Sequence, residues 1–182
     1  MFKRFSAYDL IIVAVMSAIG LAIKPVVTAA VHIVSAPLMI PGGSLAGGFY
    51  MLWIVLAFAV TGKYGTATMV GVVQAIIVII SGLPGSHGIL SLFSYVAPGL
   101  VTDLFLMLML SALKLEYNRM VSFFACMCAN LTGALIVNVI FFRLPLAFLA
   151  LTLVISAISG GIGGLIAWEL YRIMKRFRLA DR

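Results

Sequence analysis

Residues 8–34 read YDLIIVAVMSAIGLAIKPVVTAAVHIV. Asp9 and Lys24 are the only Asp, Glu, Lys or Arg in this run, which exceeds the roughly 20 apolar residues a helix needs to cross a bilayer. Lys3 and Arg4 precede it as they would in a signal peptide, but no small-residue cleavage site ends the apolar run before Lys24. The stretch is therefore expected to stay as a first membrane helix, bent at Pro25, where the ring removes a backbone donor.

The rest of the 182-residue chain is equally apolar, so that overall 64% of residues are hydrophobic and 9% charged. A soluble domain carries about 25% charged residues, so the solvent for this surface is lipid. Five more apolar segments are expected as helices at about 44–61, 65–81, 89–113, 119–142 and 145–174. Pro37, Pro41, Gly42 and Gly43 break the first connection. Gly62 to Gly65, Gly82 to Gly88, Lys114 to Arg119 and Arg143 to Pro145 make the others. The expectation is an all-α, six-helix transmembrane bundle filling residues 1–182 as a single integral membrane domain, with no internal repeat.

Orientation follows from Lys and Arg. Ten of the twelve, including Lys63, Lys114, Arg119 and the group from Arg172 to Arg182, fall on one side of this topology. The positive-inside rule puts that side, with both termini, in the cytoplasm. The net charge of +7 is accounted for by these helix ends. No basic groove with interleaved aromatics is present, so nucleic acid is not an expected partner.

Polar groups within lipid are expensive and mark function by default. Asp103 sits in the inner half of its helix, as a structural cap or as a coupling group. Glu169, among Arg172 and Lys175, reads as an interfacial pair. The outer half gathers His32, Tyr50, Trp53, His87, Tyr95, Asn138 and Arg143, with Lys24 in reach by snorkelling. Ring faces with a few fixed donors and acceptors suit a pocket for a small polar ring compound. The competing reading of the tryptophan and tyrosines is an interfacial belt. Ala14, Ala18 and Ala22 form a small-residue stripe, and Gly160 and Gly164 a second one, of the kind that lets helices approach closely.

Several chemistries lack their residues. There is no phosphate-binding G-x-x-x-x-G-K-[ST] loop, no H-E-x-x-H and no G-x-S-x-G. Neither histidine has a carboxylate or cysteine nearby in sequence, so no metal site is expected, and no resident cofactor. Cys126 and Cys128 lie two apart on one helix and diverge, reading as buried small side chains. The chain is not expected to be an enzyme.

With its size, six-helix topology and alanine stripe, the chain resembles the substrate-binding S components of energy-coupling factor (ECF) vitamin transporters. The likeness also rests on Gly47-Gly48-Phe49-Tyr50-Met51-Leu52-Trp53, on Gly62-Lys63-Tyr64-Gly65 and on Tyr95-Val96-Ala97-Pro98-Gly99-Leu100-Val101-Thr102-Asp103. The nearest flavour is the type that takes thiamine or its hydroxymethylpyrimidine precursor. The resemblance implies a multi-pass protein of a prokaryotic cell membrane that captures a water-soluble vitamin-like molecule outside. Its partners would be a transmembrane coupling protein, contacted through Ala14, Ala18 and Ala22, and two cytoplasmic ATPases. The loops Ser35 to Gly43 and Gly82 to Gly88 would act as lids. No carboxylate lies in the outer half, which counts against a cationic ligand and suits a neutral or anionic ring. The alternative from a different class is a small oligomeric secondary carrier or channel whose ion coupling would depend on Asp103.

Overall fold

A computed structural model of the protein describes residues 4–35, 37, 41–82 and 90–180. Its helices are α1 (Ala7–Ala22), α2 (Lys24–Ser35), α3 (Gly42–Thr61), α4 (Thr66–Ser81), α5 (Ser91–Met107), α6 (Arg119–Ile136) and α7 (Leu146–Ala180). No strand occurs among the described residues. His87, Pro84 and most of the expected lid from Gly82 to Gly88 lie outside the described residues, as does part of the first loop.

The first expected helix is two consecutive pieces. α1 and α2 meet at Ile23, two residues before Pro25, where the missing N–H removes a rung of the helical ladder. Ser6 and Asp9 form a reciprocal capping box at the start of α1. Asp9 also takes an ion pair from Lys63 at 2.5 Å, which ties this end to the turn between α3 and α4. That turn reverses the chain in four residues because Gly62 and Gly65 hold φ of 62° and 91°, a region glycine enters without steric cost.

Five helical rods are long and apolar enough to cross a membrane: Ala7–Ile33, Gly42–Thr61, Ser91–Ala112, Arg119–Ile140 and Leu146–Phe177. The sixth apolar rod, α4, has 16 residues, a rise of roughly 24 Å against a hydrocarbon core of roughly 30 Å. By itself it is short of a span. α5 and α6 each end in a π-helical segment, Leu108–Ala112 and Val137–Phe142, where the hydrogen bonds slip by one residue.

α7 runs antiparallel to α6 and packs along α3 at backbone distance. A Cβ at Gly163 would overlap the Gly48 backbone, and one at Gly164 would overlap Ser122. The Gly48 N–H donates to Ser159 Oγ at 3.1 Å, and that hydroxyl donates to the Leu45 carbonyl at 2.5 Å. The glycines of the last helix are thus bundle packing, where close contact replaces the hydrophobic effect that lipid removes. The buried centre is Val55, Leu56, Val70, Leu106 and their neighbours, while Ile33, Ile80 and Leu146 stand outward.

The two ends of the bundle differ. Rings of Phe58, Tyr64, Tyr117, Trp168 and Tyr171 cluster at the end that also holds Lys63 and the basic end of α7. Tyr117 donates to Ser122 Oγ there, and burial pushes its hydroxyl pKa well above the usual tyrosine value. The opposite end is hollow.

Candidate functional site

The hollow end encloses a cavity of about 690 Å³, within the range of sites for small organic ligands. Its walls are α2, the first half of α3, the last part of α6 and the π segment after it, with Gly20 of α1, Gln74 of α4, and Ser94 and Tyr95 of α5.

The floor is set by close packing. Gly47 has no side chain, and the carboxamide of Asn130 occupies the space its Cβ would take. Asn130 Nδ2 donates to the Ser156 carbonyl at 2.8 Å, joining α6 to α7 beneath the cavity. On α3 the lining positions are Gly47, Tyr50, Met51 and Ile54, one helical face.

Lys24 is the lysine of the lining. Its ammonium donates to the Tyr95 hydroxyl and stands 4.1 Å from the centre of the Tyr95 ring and 5.1 Å from that of Tyr50. Tyr50 is held in turn by Thr28, hydroxyl to hydroxyl at 2.7 Å. No carboxylate lines the cavity among the described residues.

Asn138 stands at the start of the π segment, fully buried. Thr152 has given its proton to the Leu149 carbonyl, so it can only accept from Asn138 Nδ2, at 3.3 Å. The amide is thereby oriented, and Oδ1 is left buried with no hydrogen-bond partner. Ser35 Oγ is a second buried polar atom of the lining without a partner. Such groups cost stability.

Of the residues expected at the site, Tyr50, Tyr95, Asn138 and His32 line the cavity. Trp53 does not. It lies one position off the lining face of α3 and packs beside Gly20, whose missing side chain makes the room. Its indole nitrogen is buried without a partner. Arg143 is exposed at the end of the π segment with φ of 46°, outside the lining, although its neighbours Phe142 and Leu144 belong to it. His87 lies outside the described residues. Thr28, Gln74 and Asn130 join the lining without being expected there, and Lys24 is expected only by its reach. The lysine carries a signal, being the one Lys or Arg inside the first apolar run.

Ala14, Ala18 and Ala22 lie exposed on one face of α1, while Val13, Ser17 and Leu21 turn inward. Asp103 is not among the residues that line the cavity, and its Oδ1 is a further buried polar atom without a hydrogen-bond partner. Its Oδ2 accepts from the Thr68 backbone N–H at 2.7 Å and from the Thr68 hydroxyl at 2.6 Å. It serves the first turn of α4, whose own preceding residue is glycine and offers no capping side chain.

Five apolar rods of spanning length, with apolar side chains turned outward, define a multi-pass membrane protein. The particular family is shown by comparison: the chain belongs to the permease components of the ABC-type cobalt transport system, whose family model matches residues 8–135. The match runs from α1 to the last turn of α6, and so includes most of the cavity wall. No curated protein and no solved structure matches the chain.

Proposed function

We propose that this chain is the substrate-capturing membrane subunit of an ECF-type ABC importer, taking up a water-soluble, vitamin-like ring compound. The observation that carries the reading is the cavity of about 690 Å³ bordered by Tyr50, Tyr95, Lys24 and Asn138. It has the volume and mixed lining of a site for an organic molecule. Membership of an ABC-type permease family supports a division of labour in which separate ATPase subunits and a transmembrane coupling protein complete the machine.

The family is described by cobalt transport. For this chain the donor set favours an organic cargo. Among the described residues no group of three or more His, Cys, Asp or Glu could hold a metal ion. A bare cation would also face the Lys24 ammonium. A pyrimidine compound of the thiamine-precursor type is the leading candidate, since it is uncharged and rich in acceptors.

The proposed topology is six spans with both termini inside. The basic residues Lys63, Lys114, Arg119 and Arg172 gather at the end opposite the cavity, which by the positive-inside rule supports an outward-facing cavity. α4 crosses as a short rod completed by its flanking loops. The exposed alanine face of α1 is the proposed contact with the coupling protein. The carrier alternative rests on Asp103, whose Oδ2 is engaged by Thr68 at the start of α4 and whose Oδ1 is buried without a hydrogen-bond partner.

The test is native mass spectrometry of the protein purified from its own membranes. A retained organic molecule that Tyr50→Ala releases is the expected result. Recovery of cobalt in place of an organic molecule contradicts the reading.

A further inference from the structure

Lys24 poses an electrostatic problem that the bundle does not solve internally. The chain has five carboxylates in all. Asp9 is paired with Lys63, Asp103 accepts from Thr68, and Glu169 is paired with Arg172. Glu116 is exposed on the segment between α5 and α6, at the end opposite the cavity. Asp181 follows the last residue of α7. None of the four described carboxylates stands near Lys24. An ammonium carries three donors, and the only hydrogen bond made by Lys24 among the described residues goes to the Tyr95 hydroxyl. Two tyrosine ring faces soften the charge, but they offer no full negative partner. A lysine inside a membrane segment with donors left over, on the wall of a ligand-sized chamber, is built to receive something.

We propose that Lys24 is the charge-selecting residue of the cavity. Its ammonium receives an electron-rich edge of the ligand, either a carboxylate or phosphate oxygen or the acceptor nitrogen or carbonyl of an uncharged heteroaromatic ring, and it turns cations away. The rings of Tyr50 and Tyr95 lie about the same ammonium and give that part of the wall an aromatic border, which suits a ring compound. A cationic ring would bring a second positive charge to a site with no anion, and like charges in such a medium repel strongly. This inference rests on the reading of the chamber as a site for an organic molecule, but it concerns the charge of that molecule only.

Three compounds with one ring and three charges test it: nicotinate, nicotinamide and N-methylnicotinamidium. Binding to the full chain in nanodiscs, followed by calorimetry, is expected to favour nicotinate or nicotinamide over the cation by about tenfold or more, or about 1.4 kcal/mol. In Lys24→Met that ratio falls to near one, and Lys24→Arg restores it. The wild-type order needs no variant, so a poorly folded Lys24→Met does not remove the test. Equal binding of all three by the wild type, a preference for the cation, or no saturable binding of any up to millimolar concentration overturns the proposal. Co-purification with ATPase subunits is indifferent to all of these outcomes, so failure here and failure of the importer reading are told apart.

Discussion

Tyr50 contributes two separable things to the cavity, a ring face beside Lys24 and a hydroxyl bonded to Thr28. Tyr50→Phe keeps the ring and is expected to weaken ligand binding only slightly. Tyr50→Ala removes the face, and ring contacts are worth about 0.5–1.5 kcal/mol beyond the area they bury. The expected loss is therefore about tenfold in affinity for the molecule recovered from the protein, measured by calorimetry. Asp103 needs the opposite kind of substitution. Asp103→Asn keeps an acceptor for Thr68 and is expected to preserve both folding and uptake. Asp103→Leu leaves the Thr68 donors unmet and should cost about 1–3 kcal/mol, seen as a lower melting temperature in detergent. Loss of uptake in a well-folded Asp103→Asn protein would favour the ion-coupled carrier.

Among the helices, the contact of α3 with α7 is set by glycines that allow backbone approach. Gly163→Ala is expected to destabilise by about 1–3 kcal/mol, the usual cost of overpacking a tight interface. Gly43→Ala makes the control, since nothing lies where its Cβ would go. Helix limits are largely readable in the sequence, because prolines and glycines end most of the apolar runs and the charged segment from Lys114 to Arg119 ends the fourth. The break at Ile23 is readable for the same reason, two residues ahead of Pro25. Which face of a helix lines the cavity is less readable. Tyr50 and Trp53 are three positions apart, and only the surroundings decide between them: α2 and Lys24 meet the first, Gly20 the second. The π segment that carries Asn138 leaves no mark in the sequence, since a one-residue slip in hydrogen bonding needs no special side chain. Asn138 itself is legible as a polar residue in lipid, and it lines the chamber.

Across the bundle as a unit, the decisive feature is asymmetry along the membrane normal. One end packs rings and basic residues tightly, and the other encloses a chamber. The chain has no nucleotide-binding loop of the P-loop kind. Membership of an ABC-type permease family places its work alongside that of other transporter subunits. α7 has 35 residues and rises roughly 52 Å, so it outreaches the hydrocarbon core and carries Arg172, Lys175 and Arg176 beyond it. The exposed face of Ala14, Ala18 and Ala22 offers a neighbouring helix a flat, small-residue surface. Ala18→Leu is expected to leave ligand binding unchanged while lowering the yield of assembled transporter, read by size-exclusion of the tagged chain. Equal loss of binding and assembly would place the stripe in the fold rather than at the partner.

If this chain captures a ligand but does not power its transport, its working form is an assembly. Affinity purification from native membranes, with mass spectrometry of the intact complex, reads that form. One copy of this chain bound to a transmembrane coupling protein and two ATPase subunits is the expected composition. Recovery of only homo-oligomers, active in uptake without ATP, would refute the division of labour.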